Sequence, residues 1–248
     1  MKLATCLCIC LGLLAARPAM AEGEREQKLA DIHTQLASAY YARGQYGVAL
    51  EEVKSAMEAV SEYAPAYNVR GLIYTDLKEW ATAEENFLRA IKLEPLNSDA
   101  NHNYGWYLCS KRNKYAESVK YFYAALKNPL YKTPEKSLQQ AGNCALKAGD
   151  LATAEDALQK ADRLQPNNPQ SLLSLAQLAW RKGQAATARD LLFQQGKLTA
   201  ATAESLWLSV RVEHKLGNAE PEVGFTKELK TRFPDSEEAH LLAEGKYD

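Results

Sequence analysis

Residues 141–161 read AGNCALKAGDLATAEDALQKA, and residues 175–195 read LAQLAWRKGQAATARDLLFQQ. The second stretch begins 34 residues after the first, and the two share glycine, threonine, alanine and leucine at matching places. The same interval separates Gly149, Gly183 and Gly217. A period of 34 residues predicts a chain built from repeated pairs of antiparallel helices.

Positions within each period fit the packing of such helix pairs. A small residue is expected where the first helix crosses the second, because the two backbones approach closely there. That position holds Ala37, Gly71, Gly105, Gly142 and Ala176. Small and large apolar residues then recur at helical spacing on the second helix, as at Ala154 and Leu158. The pattern is typical of tetratricopeptide repeats and predicts an all-α fold, a right-handed superhelical solenoid.

Six repeat units and a short capping helix account for nearly all of the chain. The units are expected at about 30–63, 64–97, 98–134, 135–168, 169–202 and 203–235, with the cap at 236–245. The third unit is three residues too long, in its inter-helix turn and in the loop 128–134. The sixth is degenerate, because Val210, Glu222 and Thr226 replace the small or apolar residues expected there. Ser236 is the expected N-cap of the final helix, which would cover the last apolar edge.

Composition and motifs exclude several classes of function. Thirty Lys and Arg residues balance 31 Asp and Glu residues, so no basic excess points to nucleic acid. No glycine-rich phosphate loop, metal-ligand pair or nucleophile elbow occurs. The adjacent glutamate pairs diverge around a helix and are interpreted as solvated faces. The sequence therefore predicts a non-enzymatic protein without cofactor or metal.

The N-terminal residues 1–21 resemble an export signal. Lys2 is followed by an apolar run over 3–16, and Ala19-Met20-Ala21 fits a signal-peptidase site. The run is too short to span a bilayer as a helix, which takes roughly 20 residues; the alternative is a buried N-terminal helix. No cysteine in this segment follows the pattern of a lipidated residue, so a lipid anchor is not supported. The mature tetratricopeptide repeat domain is then expected at 22–248.

After removal of residues 1–21, two cysteines remain, Cys109 and Cys144. Both fall in the C-terminal half of a first helix, in the third and the fourth unit, and first helices of neighbouring units pack side by side. In an oxidising compartment such a pair predicts one disulfide. The alternative is two buried free thiols.

A partner-binding groove is expected along the first helices, which line the concave face of such arrays. The side chains predicted to face it, called the predicted groove residues below, are Tyr41, Asn68, Leu72, Trp106, Asn143, Trp180, Trp207 and Arg211. Aromatic and arginine side chains dominate the energetics of many protein interfaces. The alternative is that some of the tryptophans only fill gaps between units.

Several stretches depart from a generic repeat. They are Asn103-Tyr104-Gly105-Trp106-Tyr107-Leu108-Cys109, residues 128–131, residues 141–150, residues 203–208 and Arg232-Phe233-Pro234-Asp235-Ser236. In this order they resemble the type IV pilus biogenesis and stability proteins of the PilW/PilF family, over about residues 29–242.

The resemblance implies a periplasmic protein associated with the outer membrane that binds a pilus component, in particular the secretin, and supports pilus assembly or stability. Many family members are lipoproteins, and this sequence departs from them because it lacks a recognisable lipidation motif. The alternative function is a general periplasmic adaptor for outer-membrane or cell-wall assembly.

Overall fold

The computed structural model describes the backbone of residues 16–247, and it contains helices joined by short turns. The chain forms two compact parts, Met1–Tyr107 and Leu108–Asp248, called the N-terminal part and the C-terminal part below. The first six helices are α1 (Ala16–Ala42), α2 (Tyr46–Ala59), α3 (Ala64–Asp76), α4 (Trp80–Leu93), α5 (Ser98–Lys111) and α6 (Tyr115–Ala125). The others are α7 (Pro134–Ala148), α8 (Leu151–Leu164), α9 (Pro169–Arg181), α10 (Ala185–Gly196), α11 (Ala203–Leu216), α12 (Ala219–Arg232) and α13 (Glu237–Ala243).

Consecutive helices pack as the pairs that the 34-residue period predicts. Contacts join α1 to α2, α3 to α4, α7 to α8, α9 to α10 and α11 to α12. First helices of successive pairs also touch, as α1 does with α3, and as α9 does with α7 and α11. The all-α tetratricopeptide fold expected from the sequence is therefore confirmed.

Two glycines show why the crossing position must be small. A Cβ atom added to Gly71 would lie 2.8 Å from ring atoms of Phe87, and one added to Gly142 would lie 2.5 Å from Cγ of Leu158. Both facing side chains are fully buried, so neither has free space to move into. The glycines thus let each first helix approach its second helix closely enough to bury a large residue.

Short polar turns join the helices of each pair. Gly149 ends α7 and Gly217 ends α11 in the left-handed conformation, with φ of 80° and 74°, which glycine adopts without a steric penalty. Asp150 then begins α8, because its carboxylate accepts a hydrogen bond from the backbone N–H of Thr153. These turns fix the antiparallel direction of the two helices.

Helix α1 starts well before the first predicted unit and presents an apolar stripe. Ala30 and Ala37 are buried against α2, whereas Leu29, Ile32 and Leu36 are each at least 40% exposed. Most of the predicted signal segment, residues 1–15, lies outside the described residues. Residues 16–21 form the first turns of α1.

The C-terminal end closes on a small apolar cluster. Ser236 accepts a hydrogen bond from the backbone N–H of Ala239 and so caps α13, as the sequence indicates. Ala239 and Leu242 of α13 pack with Trp207 of α11 and Leu229 of α12. The degenerate sixth unit therefore keeps a core, although Leu229 is the single buried residue of α12.

Candidate functional site

The inner helices of the C-terminal part line a cavity of about 690 Å³, called the inner cavity below. It is bordered by residues of α7, α9, α11 and α13, together with the end of α5. Four predicted groove residues, Asn143, Trp180, Trp207 and Arg211, all line it. Asn143 and Arg211 are 68 residues apart, which is two periods, so they hold equivalent positions of stacked repeats. Trp180 and Trp207 lie about one helical turn from that position on the inner helices α9 and α11.

Arg211 is the centre of an aromatic cluster in this cavity. Its guanidinium carbon lies 4.8 Å from the ring centroid of Trp180 and 5.8 Å from that of Trp207. Its Nε atom donates a hydrogen bond of 3.0 Å to the backbone carbonyl of Tyr247. A guanidinium held over tryptophan rings keeps hydrogen-bond donors in a fixed place, which suits recognition of an acidic or carbonyl-bearing ligand.

Tyr247 is a member of the site that the sequence analysis missed. Its ring stacks on His214 with centroids 4.2 Å apart and lies 5.7 Å from the ring of Trp207. Trp207 is consequently only 6% exposed, and most of its ring packs against the core cluster of α11, α12 and α13. Trp180, which is half-buried, is the more accessible tryptophan of the cavity.

Hydrogen bonds between polar side chains hold the inner helices together beside the cavity. Asn143 accepts a hydrogen bond from Nε2 of Gln139, and the same nitrogen donates to Ser174 on the next inner helix at 2.7 Å. Gln177 donates to the carboxylate of Glu204 at 2.6 Å, which links α9 to α11. The bonds from Gln139 to Ser174 and from Gln177 to Glu204 each join neighbouring repeats, so the inner helices are held to one another across the stack.

The other four predicted groove residues belong to the N-terminal part. Asn68 is 7% exposed and accepts a hydrogen bond from Asn103 at 3.1 Å, so it joins two repeats. Tyr41 is half-buried beside Tyr46, and burial together with a hydrogen bond to Asp76 raises its pKa well above the usual range. Leu72 and Trp106 are also half-buried. Structural contacts account for Asn68 and Tyr41, and binding by these four residues stays a prediction.

The two cysteines of the predicted mature chain are adjacent in the C-terminal part. Cys109 of α5 and Cys144 of α7 are joined in a disulfide, with their Cα atoms 6.1 Å apart. Both residues border the inner cavity, although each is almost fully buried. The link encloses the turn after α5 and the loop before α7, where the period is interrupted.

Within residues 16–247, no helix combines the length and the apolar character that a membrane span requires. The same part of the chain brings together no group of three His, Cys, Asp or Glu side chains able to hold a metal ion.

Comparison with protein families supports the repeat pattern directly. A tetratricopeptide repeat model matches residues 34–95 and 140–204, and a second tetratricopeptide repeat model matches residues 86–120. The matched residues include Asn143 and Trp180 of the inner cavity.

Comparison with individual proteins identifies the branch of this family. The crystal structure of PilW, a widely conserved type IV pilus biogenesis factor, is 32% identical, with a TM-score of 0.78 over 87% of this chain and 98% of PilW. This chain belongs to the PilW/PilF family of tetratricopeptide repeat proteins. The type IV pilus assembly protein PilF of Pseudomonas aeruginosa is 25% identical over 83% of this chain and 81% of PilF.

The solved structure of Pseudomonas aeruginosa PilF has a TM-score of 0.78 with this PilW/PilF-family chain, at 23% identity over 88% of it. At that identity the likeness supports the fold alone. The resemblance to this family that was stated from the sequence is confirmed by the match to PilW.

Proposed function

We propose that this chain is a non-enzymatic scaffold that binds a protein component of the type IV pilus machinery, in particular the secretin, and thereby supports pilus assembly or stability. Membership of the PilW/PilF family supports a role in type IV pilus biogenesis. The inner cavity, which holds Trp180 and Arg211 side by side on rigid helices, carries the proposal that the chain acts by binding.

The chemistry of the cavity fits a peptide segment as its occupant. Aromatic rings supply apolar contact area, while Arg211 and Asn143 supply hydrogen-bond donors for carbonyl and carboxylate oxygens. The inner helices are held by interhelical hydrogen bonds, so little order has to be gained when a segment binds. A preformed site of this kind loses less conformational entropy on binding than a flexible one.

The proposed location is the periplasm, at the outer membrane, after export by residues 1–21. N-terminal sequencing of the protein recovered from the periplasm tests this directly. A chain that begins at Glu22 is expected, because Ala19 and Ala21 fit the recognition positions of a signal peptidase. A recovered chain that still begins at Met1 contradicts the export signal.

A deletion strain complemented with variants tests the proposed function. Deletion is expected to reduce surface pili and secretin multimers, and the wild-type gene should restore both. The double variant Trp180→Leu, Arg211→Ala should still fold, as its thermal unfolding curve will show. It should nevertheless fail to restore pili and fail to retain the secretin in a pull-down.

The matched control is Phe193→Ala on α10, because Phe193 is 65% exposed and lies outside the inner cavity. It should restore pili fully. Normal pili and secretin multimers in the deletion strain would contradict the proposal and favour a general periplasmic adaptor.

A further inference from the structure

Three basic residues recur at the repeat interval along the inner helices of the C-terminal part. Lys147, Arg181 and Lys215 are separated by 34 residues each, and they lie in the last turns of α7, α9 and α11. All three are exposed. Because equivalent positions of stacked repeats line up, they form a row, called the basic row below.

The basic row borders the inner cavity and a second cavity that continues it. Lys147 and Arg181 line the inner cavity, while Lys215 lines a cavity of about 420 Å³. Trp180 and Arg211 line both cavities. The row therefore runs beside one continuous recess, with the Arg211 and Trp180 pair at its centre.

Helix stability alone does not explain the row. A base in the last turn of a helix interacts favourably with the helix dipole, so each could serve only its own helix. However, α3 of the N-terminal part has Asp76 at the equivalent position, an acid where the dipole favours a base. The fold thus tolerates either charge there, and three successive bases are a specific property of the C-terminal part.

Acidic residues also line the inner cavity. Glu204 lies in the first turn of α11, and Glu237 and Glu238 lie in the first turn of α13. Lys215 follows Glu204 by eleven residues, which is roughly 16 Å along a helix. Glu204 and the basic row therefore lie at opposite ends of the inner helices, and a bound segment has a preferred orientation.

We infer that the basic row binds an extended acidic segment of the pilus partner whose carboxylates recur at every third residue. This inference rests on the proposed function, since it specifies the chemistry of the segment that the inner cavity takes. Neighbouring packed helices are about 8–10 Å apart. In the polyproline II conformation an extended chain has three residues per turn and rises about 3.1 Å per residue. Carboxylates at every third residue therefore lie on one side about 9 Å apart, which matches the distance from one base of the row to the next.

The side chains that line the site predict two further features of the bound segment. Side chains between the carboxylates face Trp180, where an apolar residue would pack on the ring. Acids are excluded from the side that faces Glu237 and Glu238, because like charges repel. The expected ligand is thus an extended, one-sidedly acidic segment and not a uniformly acidic one.

Three synthetic nonapeptides, each with a fluorescent label, test the inference on the full mature chain. The first has glutamate at every third position between serine and alanine, the second has the same composition with its glutamates in one block, and the third replaces every glutamate with glutamine. The first peptide should bind about tenfold more tightly than either of the others, since three exposed ion pairs are each worth up to about a factor of five. Its affinity should fall as salt is raised.

Charge reversal locates the binding surface. The triple variant Lys147→Glu, Arg181→Glu, Lys215→Glu should lose the preference for the spaced peptide. A matched control reverses three exposed bases on outer helices, Lys120→Glu, Arg163→Glu and Lys230→Glu, which changes the net charge equally. The control should keep the preference, and thermal unfolding should show that both variants are folded.

Several outcomes would overturn the inference. Equal binding of the spaced and the glutamine peptide excludes charge recognition, and equal binding of the spaced and the block peptide excludes the register. An equal loss in both triple variants points to net charge alone, and tighter binding of single-stranded DNA than of any peptide points to another polyanion. If the peptides fail while secretin capture still depends on Trp180 and Arg211, the inference is wrong and the proposed function stands.

Discussion

Helix α1 and the helices α11 to α13 stand at opposite ends of the chain and present their apolar faces differently. Leu29, Ile32 and Leu36 of α1 are each at least 40% exposed. The corresponding end of α11 is covered, because α13 and Tyr247 pack over Trp207. A repeat array needs its terminal apolar faces covered. Within the described residues, the C-terminal end meets this need with a dedicated helix, and α1 leaves its stripe on the surface.

The two parts also differ in how their helices are fastened. In the C-terminal part, side chains cap the N-termini of α8, α9, α11 and α13, while α6, α7, α10 and α12 begin without a side-chain cap. In the N-terminal part, Asn97 caps α5, while α2, α3 and α4 begin without one. The C-terminal part also contains the disulfide. The part that carries the inner cavity is therefore the one with a covalent link between two of its inner helices, α5 and α7.

Truncating one leucine at each end of the chain tests how the two terminal apolar faces differ in their covering. Leu229→Ala should lower the free energy of unfolding by about 4 kcal/mol, because Leu229 is fully buried between Trp207 and Leu242. Leu36→Ala on α1 should cost less than about 1 kcal/mol, since Leu36 is 40% exposed. Urea titration of both variants measures the values. Equal losses would contradict the view that only the C-terminal end is covered.

Reduction of the disulfide should weaken the C-terminal part selectively. The bond closes a loop with a sequence separation of 35 residues and contributes about 3 kcal/mol in the chain-entropy account. Thermal unfolding with and without reductant measures the effect, and limited proteolysis should place new cuts after residue 108.

The matched control for reduction is the double variant Cys109→Ala, Cys144→Ala, which should not respond to reductant. Thiol alkylation followed by intact-mass measurement checks the bond in protein purified from the periplasm. Alkylation of both cysteines without reductant would show that they are free thiols.

The glycine crossings should behave alike in the two parts, in contrast to the ends. Gly71→Ala and Gly142→Ala should each cost about 2 kcal/mol, because the new methyl group meets Phe87 or Leu158 at 2.8 Å or less and both are fully buried. Gly47→Ala on α2 is the control, since nothing lies within 4 Å of its Cβ position. It should raise stability by up to about 1 kcal/mol. Chemical denaturation distinguishes these signs.

Lowering the pH should change the stability least, through protonation of Asp156 on α8. Lys160 at 2.7 Å and the hydroxyl of Tyr123 at 3.1 Å hydrogen-bond its carboxylate and lower its pKa, and burial with Asp156 as partner raises the pKa of Tyr123 to about 12. A lowered folded pKa gives stability that is present above the unfolded pKa and is lost as pH falls through the folded pKa.

The contribution of Asp156 is less than about 1 kcal/mol, since the pair is solvent-exposed. Melting temperatures between pH 2 and 6 should therefore fall slightly more for the wild type than for Asp156→Asn. An identical pH dependence in the two proteins would contradict this role of Asp156.

The sequence by itself determined the helices and their pairing. Glycines at 34-residue intervals end the first helices, and Gly71 and Gly142 mark the crossings, because local backbone preference and close approach restrict those positions to small residues. Ser236 likewise predicted the start of the capping helix, because its side chain accepts a hydrogen bond from the backbone N–H of Ala239. The period also placed Asn143 and Arg211 at equivalent positions of the inner helices, and helical spacing placed Trp180 and Trp207 on the same surface about one turn away.

Tertiary structure alone decided which of these side chains are accessible. The return of the chain after α13 brings Tyr247 onto His214 and Trp207 and fixes Arg211 by a backbone carbonyl. Asn68 likewise accepts a hydrogen bond from Asn103, which is 35 residues further along the chain. Periodicity gives the direction in which a side chain points from its helix. What covers that side chain depends on segments distant in sequence, whose placement follows from packing and from no local pattern.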